Sequence, residues 1–183
     1  MANKTTKRNS VSRRLSQTVL QHIRLFATDV DGVLTDAGMY YSESGDEWKK
    51  FNTRDGMGIK LLQKAGLITA IVTQERTRLV ARRAEKLAIP ELHQGVMDKL
   101  SVIRDMAERH GISLRQIAYI GDDVNDIEAL KAVGFSATPA DGLPQLRKTV
   151  DYVCRLKGGE GAVRELVEMI LQSRTKATME RAR

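Results

Sequence analysis

Apolar residues along the chain gather in short runs, each ending in a polar cluster and followed by hydrophobic positions at helical spacing. Three runs have strand length: IRLFAT at 23–28, LITAIV at 67–72 and QIAYI at 116–120. Helical candidates fall at 56–65, 77–87 and 99–110. FSAT (135–138) and DYVC (151–154) are shorter strand candidates, and a helix over about 160–172 closes the series. Strands alternating with helices of this length make a parallel sheet with right-handed crossovers. The predicted class is α/β, a Rossmann-like open parallel sheet flanked by helices.

One segment breaks the alternation. In GMYYSESGDEWKKFNTRDG, residues 38–56, the stretches 39–41 and 47–51 flank a polar turn containing Gly45, which reads as a β-hairpin with a longer loop. Its Tyr40, Tyr41 and Trp48 either pack against the domain or await a partner subunit, since a small hairpin is marginal alone. No internal repeat and no Pro/Gly-rich linker marks a second domain, and 183 residues suit one domain with a sizeable core. The predicted organisation is a basic arm over 1–20, one domain over 21–172 and a tail over 173–183.

Charge adds to this picture at the termini. The net charge of +7 is uneven: no acid precedes Asp29, and the segment after Gln172 is also basic. Such an arm is either solvated or a contact for anionic partners. Aromatic residues make up 4% of the chain, too few for base-stacking platforms, which argues against nucleic acid. No run approaches the roughly 18 apolar residues that span a bilayer. The first residues intersperse Lys4, Lys7, Arg8, Arg13 and Arg14 with polar residues instead of forming a signal-peptide core. A cytoplasmic protein without a membrane partner is expected. The single Cys154, in the apolar run VDYVC, reads as a buried thiol in a reducing compartment.

Candidate chemistry concentrates in LFATDVDGVLTDAG, residues 25–38, where Asp29 and Asp31 stand two apart with Asp36 beyond them. Carboxylates at that spacing repel unless a cation or a shared proton intervenes, so the stretch is either a solvated acidic turn or a metal and phosphoryl site. In open parallel sheets ligands collect outside the carboxyl ends of the strands, and each main run delivers polar residues there: Asp29 and Asp31, Thr73, and Asp122 and Asp123. A cluster of like charge in one crevice calls for a hard divalent cation, and Mg2+ suits carboxylate, carbonyl and water ligands while leaving room for substrate phosphate. One acid beside such an ion can attack phosphorus, and the second can protonate the leaving oxygen and then activate water. Lys99 is the candidate for positive charge on the phosphoryl oxygens, with Thr73 and the loop amides near Gly32 as hydrogen-bond donors. Structural readings stand beside these. Asp122 or Asp123 can cap a helix, Lys99 can be an exposed helix lysine, and Asn125 can contact phosphate or brace its loop. His22, His93 and His110 have no metal-binding spacing.

Four motifs in this order resemble the haloacid-dehalogenase-like phosphatases: DVDGVLTD (29–36), Thr73 ending the second run, Lys99, and GDDVND (121–126). The resemblance extends to the branch of 3-deoxy-D-manno-octulosonate (KDO) 8-phosphate phosphatases through FNTRDGMGIKLL (51–62), HQGVMDKL (93–100), ATPADG (137–142) and GGEGAVRE (158–165), and covers about 23–171. It implies Asp29 as nucleophile and magnesium ligand, and Asp31 as general acid/base whose backbone carbonyl also binds the metal. It further implies Asp122 as the third protein ligand, Asp126 as support for the metal shell through water, and Thr73 and Lys99 as holders of the phosphoryl group. It implies a hairpin in place of a cap domain, homotetramers with shared sites, and the segment around KGGEGA (157–162) as a closing element near an active site.

The chain departs from this branch at VTQERT. There Thr73 is followed by Gln74 and Glu75, where KDO 8-phosphate phosphatases usually carry Gly-Arg. Glu75 replaces a cation suited to a sugar-acid carboxylate with an acceptor suited to hydroxyl groups, as in relatives acting on the nine-carbon acid KDN as its 9-phosphate. The implied substrate is thus a phosphorylated sugar acid of eight or nine carbons. Arg78, Arg82 and Arg83 either restore carboxylate recognition or form a solvated basic helix face. The contrasting class is a catalytically silent oligomerisation or regulatory module, like the phosphatase-like domain of some CMP-sialate synthetases. Against it, both Asp29 and Asp31 are present.

Overall fold

The computed structural model describes residues 18–181, so nearly all of the expected basic arm lies outside the described residues. Six strands, β1 (Leu25–Thr28), β4 (Ile68–Val72), β5 (Glu91–His93), β6 (Ile117–Ile120), β7 (Phe135–Thr138) and β8 (Tyr152–Val153), form one sheet in the order β5-β4-β1-β6-β7-β8. Every pairing is parallel. From β1 the chain winds outward through β4 to β5, then crosses back to β6 and winds outward the other way. The strand order therefore reverses beside β1, where an α/β sheet opens a crevice.

Helices α1 (Thr53–Lys64), α2 (Arg78–Leu87), α3 (Lys99–Arg109), α4 (Ile127–Ala132) and α5 (Ala162–Arg181) cover the sheet among the described residues. Phe26, Ala118 and Ile120 point into one core with Ile59 and Leu62 of α1, Val80 and Ala84 of α2, and Leu166 and Val167 of α5. Leu25, Ala27, Ile117 and Tyr119 alternate to the other face, against Ile103 and Met106 of α3 and Ala129 and Leu130 of α4. Burial on both faces explains why these strands read as unbroken apolar runs.

The structure adds to the expected elements at several points. α1 begins at Thr53, three residues early, because the Asn52 side chain accepts from the Arg54 amide and caps the helix. β5 is an edge strand whose Glu91 and His93 gave no apolar signal, and α4 follows directly on the GDDVND loop. α5 runs on to Arg181: the sequence after Gln172 has no Gly or Pro to stop it, and the Arg174 guanidinium anchors it by donating to the Ile23 carbonyl at 2.9 Å. The hairpin is present as β2 (Tyr40–Tyr41) and β3 (Glu47–Trp48), shorter than its flanking stretches implied, and Tyr40, Tyr41 and Trp48 are exposed. Cys154 is buried, and burial pushes its thiol up to about 12. Among the described residues no helix is long and apolar enough to cross a membrane.

Candidate active site

Just past β1 the sheet still holds the chain, for the Asp29 amide donates to the Ile120 carbonyl at 3.0 Å. The amides of Val33, Leu34 and Thr35 then turn back onto the Val30 carbonyl, closing a tight loop at the sheet's carboxyl edge. Gly32 has φ +77° in this loop, a left-handed value that favours glycine, and a Cβ there would collide with the Asp122 carboxylate. From the other side Gly158 presses on the Gly32 carbonyl where no Cβ fits. The Gly159 amide donates to the Val33 carbonyl at 3.0 Å, and the Gly159 carbonyl accepts from Asn52 Nδ2 at 3.1 Å. The KGGEGA segment thus buttresses the acid-bearing loop of its own chain.

One carboxylate oxygen from each of Asp29, Asp122 and Asp126 lies within 4.8 Å of the others. Lys99, 1% exposed at the start of α3, donates to Asp29 Oδ2 at 2.7 Å and to Asp126 Oδ1 at 2.6 Å. Burial works against its charge, but the two carboxylates outweigh burial and raise its pKa. Asp126 also takes the Tyr119 hydroxyl at 2.5 Å and the amides of Asp122 and Asp123 at 3.0 and 3.2 Å. It therefore fixes the loop that presents Asp122. Asp123 turns the other way and caps its own turn through the Val124 amide.

These acids crowd one another. Burial, then the charge of Asp126, pushes Asp29 up to about 7 despite Lys99. Burial, then the charges of Asp29 and Asp126, pushes Asp122 up to about 8. One ammonium does not neutralise three carboxylates, so the cluster is built for a further cation, and its all-oxygen donor set suits a hard divalent one.

The remaining candidates ring this cluster. Thr73 is buried at the end of β4, the neighbour of β1. Asn125 is exposed and donates to Gln74 Oε1 at 3.1 Å, bridging the loops after β4 and β6. Asp31 and Glu75 meet through Lys49, which donates to Asp31 Oδ1 and Glu75 Oε2 at 2.5 Å each. Asp36 turns away to the hairpin, accepting from the Tyr40 hydroxyl at 2.8 Å and from Lys50 at 3.2 Å. Arg83 donates to the Asn52 carbonyl at 2.8 Å and lies over the Phe51 ring, while Arg78 and Arg82 are exposed on α2. His93 and His110 both bond Glu91 on the β5 edge, away from the acids, and His22 is exposed.

Sequence reasoning missed Lys49 and Tyr119. Alternation held a clue to the first: Trp48 faces out, so Lys49, the next residue in an extended chain, faces in. Tyr119 is the one polar-tipped side chain in the run IAYI, and a buried phenol needs a partner.

A doubly wound parallel sheet that sets a lysine-bridged acid cluster at the carboxyl ends of its central strands defines a hydrolase of the haloacid dehalogenase-like class, and the model of that family matches residues 85–166. The 3-deoxy-D-manno-octulosonate 8-phosphate phosphatase of Escherichia coli is 40% identical over 156 residues, 85% of this chain and 83% of that protein. The crystal structure of the phosphatase of the same name from Yersinia pestis has a TM-score of 0.86 at 40% identity, covering 88% of each chain. That from Moraxella catarrhalis, in complex with magnesium ion, phosphate ion and KDO, also has a TM-score of 0.86, at 38% identity, covering 93% of this chain and 99% of that one. The chain belongs to the 3-deoxy-D-manno-octulosonate 8-phosphate phosphatase family and is a phosphoric monoester hydrolase.

Proposed function

We propose that this enzyme removes the terminal phosphate of a 3-deoxy-2-keto sugar acid, with 3-deoxy-D-manno-octulosonate 8-phosphate as its substrate. The observation that carries this reading is the buried lysine between Asp29 and Asp126 with Asp122 beside them, in a chain 40% identical to phosphatases of that name.

The donor set fits magnesium. Asp29 and Asp122 offer carboxylate oxygens whose pKa is raised by burial and then by neighbouring carboxylates, Asp126 on Asp29 and both Asp29 and Asp126 on Asp122, a strain that a hard cation relieves. Asp29, Asp122 and the Asp31 backbone carbonyl would hold it. Bound there, Mg2+ supplies charge to the phosphoryl oxygens and screens the acids from the incoming phosphate.

Asp29 attacks phosphorus, forming an aspartyl-phosphate as the bond to the sugar oxygen breaks. Asp31 gives its proton to that leaving oxygen, then takes one from the water that attacks the aspartyl-phosphate, which returns Asp29 and releases phosphate. Lys99 is held by Asp126 where it meets both the nucleophile and the charge developing on the phosphoryl oxygens, and Thr73 adds a hydroxyl. Asp126 keeps Asp122 and Lys99 in place. Glu75 and Asn125 stand at the mouth, where the sugar acid enters. Exposed Tyr40, Tyr41 and Trp48 support assembly into a homotetramer, which light scattering tests.

The direct test is magnesium-dependent phosphate release from KDO 8-phosphate and KDN 9-phosphate side by side, with Asp29→Asn as the blank and EDTA as the metal-free control. Release from KDO 8-phosphate that needs Mg2+ and Asp29 is expected. A preference for KDN 9-phosphate would overturn the eight-carbon assignment and make Glu75 the marker of hydroxyl recognition. Silence on both would point to a regulatory domain.

A further inference from the structure

Lys49 has no part in the chemistry above, yet its surroundings are unusual for a hairpin residue. Its side chain is buried, and its ammonium sits between Asp31 Oδ1 and Glu75 Oε2, with Glu47 Oε1 3.9 Å away. Burying an ammonium is costly before partners are counted, and fixing a lysine side chain costs rotamer entropy as well. A hairpin of two-residue strands with exposed aromatics has no packing need that such an ion meets. Two short charge-assisted bonds offset the penalty, and both lead to the crevice rather than to the hairpin.

The geometry at Asp31 is selective. Lys49 grips Oδ1, which otherwise receives only the Thr35 hydroxyl at 3.5 Å. Asp31 Oδ2 has no hydrogen-bond partner among the described residues, and the side chain is partly exposed. One oxygen is held and the other is left open. On the far side Glu75, from the loop after β4, holds the ammonium in place, so three separate segments meet at one nitrogen.

We propose that Lys49 is a positioning residue for Asp31: it fixes the carboxyl group by Oδ1 so that Oδ2 exchanges the proton with the ester oxygen, and Glu75 fixes Lys49. This rests on Asp31 being the general acid/base. Without the clamp, Asp31 samples other rotamers, and the loss falls on the step in which the leaving oxygen takes a proton.

The test compares kcat/KM, which reports steps only through departure of the leaving group, for KDO 8-phosphate and for p-nitrophenyl phosphate. The sugar alcohol is a poor leaving group that needs a proton, whereas p-nitrophenolate leaves readily without one. Lys49→Met, checked for folding by circular dichroism, should lose about 10- to 100-fold on KDO 8-phosphate and less than about threefold on p-nitrophenyl phosphate. Lys49→Arg should recover most of the loss, and Glu75→Gln should lie between. Asp31→Asn must itself show the same leaving-group selectivity, larger in size. If Asp31→Asn slows both substrates alike, the role of Asp31 falls. If it is selective while Lys49→Met slows both alike, slows neither or speeds the sugar phosphate, the positioning role of Lys49 falls and that of Asp31 stands.

Discussion

Raising the pH of the metal-free enzyme from about 5 to about 8 should destabilise it, and magnesium should remove that dependence. Asp29 and Asp122 have folded-state pKa values pushed up to about 7 and about 8, against about 3.9 for an unfolded aspartate. Between those limits the folded chain keeps protons that the unfolded chain has already lost, so stability falls as pH rises, by about 1.4 kcal/mol per pH unit for each proton retained. From pH 5 to pH 7 one retained proton amounts to about 2.7 kcal/mol, or roughly 5–11 °C in melting temperature for a chain of this size. Glu91 does not interfere. The Arg109 guanidinium, helped by His110 and His93, holds its carboxyl down to about 2, so its contribution is complete above the unfolded carboxylate range and is lost only in stronger acid. The assay is differential scanning calorimetry across pH 5–8, in EDTA and in excess Mg2+. The EDTA series should slope downward, the magnesium series should be flatter, and the rise in melting temperature caused by magnesium should be largest at the alkaline end. Asp122→Asn removes one of the crowded charges, so it should stabilise the metal-free protein at pH 8 and abolish the magnesium shift. A flat or rising EDTA series, or the same slope with and without metal, would refute the reasoning.

Two further outcomes follow from the packing. Lys99→Met leaves Asp29 and Asp126 without their shared cation, and turnover of KDO 8-phosphate should drop by at least about 10²-fold, while a steady-state rate within tenfold of the parent would remove Lys99 from the phosphoryl site. Gly158→Ala forces a methyl group against the Gly32 carbonyl and should cost about 1–3 kcal/mol in urea unfolding and lower turnover as well, so a variant as stable and as active as the parent would contradict the buttress.

What was legible in the sequence follows from which interactions are local. β1, β4 and β6 announced themselves because both of their faces are buried, and their order along the chain placed Asp29, Thr73 and Asp122 at one edge before any contact was known. Lys99 was visible only through its rank among the motifs, since nothing local separates it from a solvated helix lysine; its burial comes from carboxylates up to 70 positions away. β5 stayed hidden because Glu91 owes its place to Arg109 and His110 of the α3 end, and His93 to Glu91, rather than to apolar pattern. Lys49 escaped for the same reason, its partners lying 18 and 26 positions distant in different loops. Asp36 looked like part of the acid cluster by spacing alone, and the loop's turn sends it to Tyr40 instead.

The glycine buttress bears on when the enzyme comes into being. Every acid of the cluster, and Lys99 with them, has been synthesised by the time Asp126 is added, yet the loop that carries Asp31 is braced by residues made later. Gly159 reaches Asn52 across 107 positions, and the α5 amide of Arg164 reaches the Asp55 carboxylate across 109. At about 5–20 residues per second a nascent chain spends seconds with its acids in place and their brace still unmade. Phosphate-ester hydrolysis is therefore expected to begin only once the helix of Arg164 has docked, and a chain stalled just after Asp126 should carry the acid cluster and Lys99 without releasing phosphate.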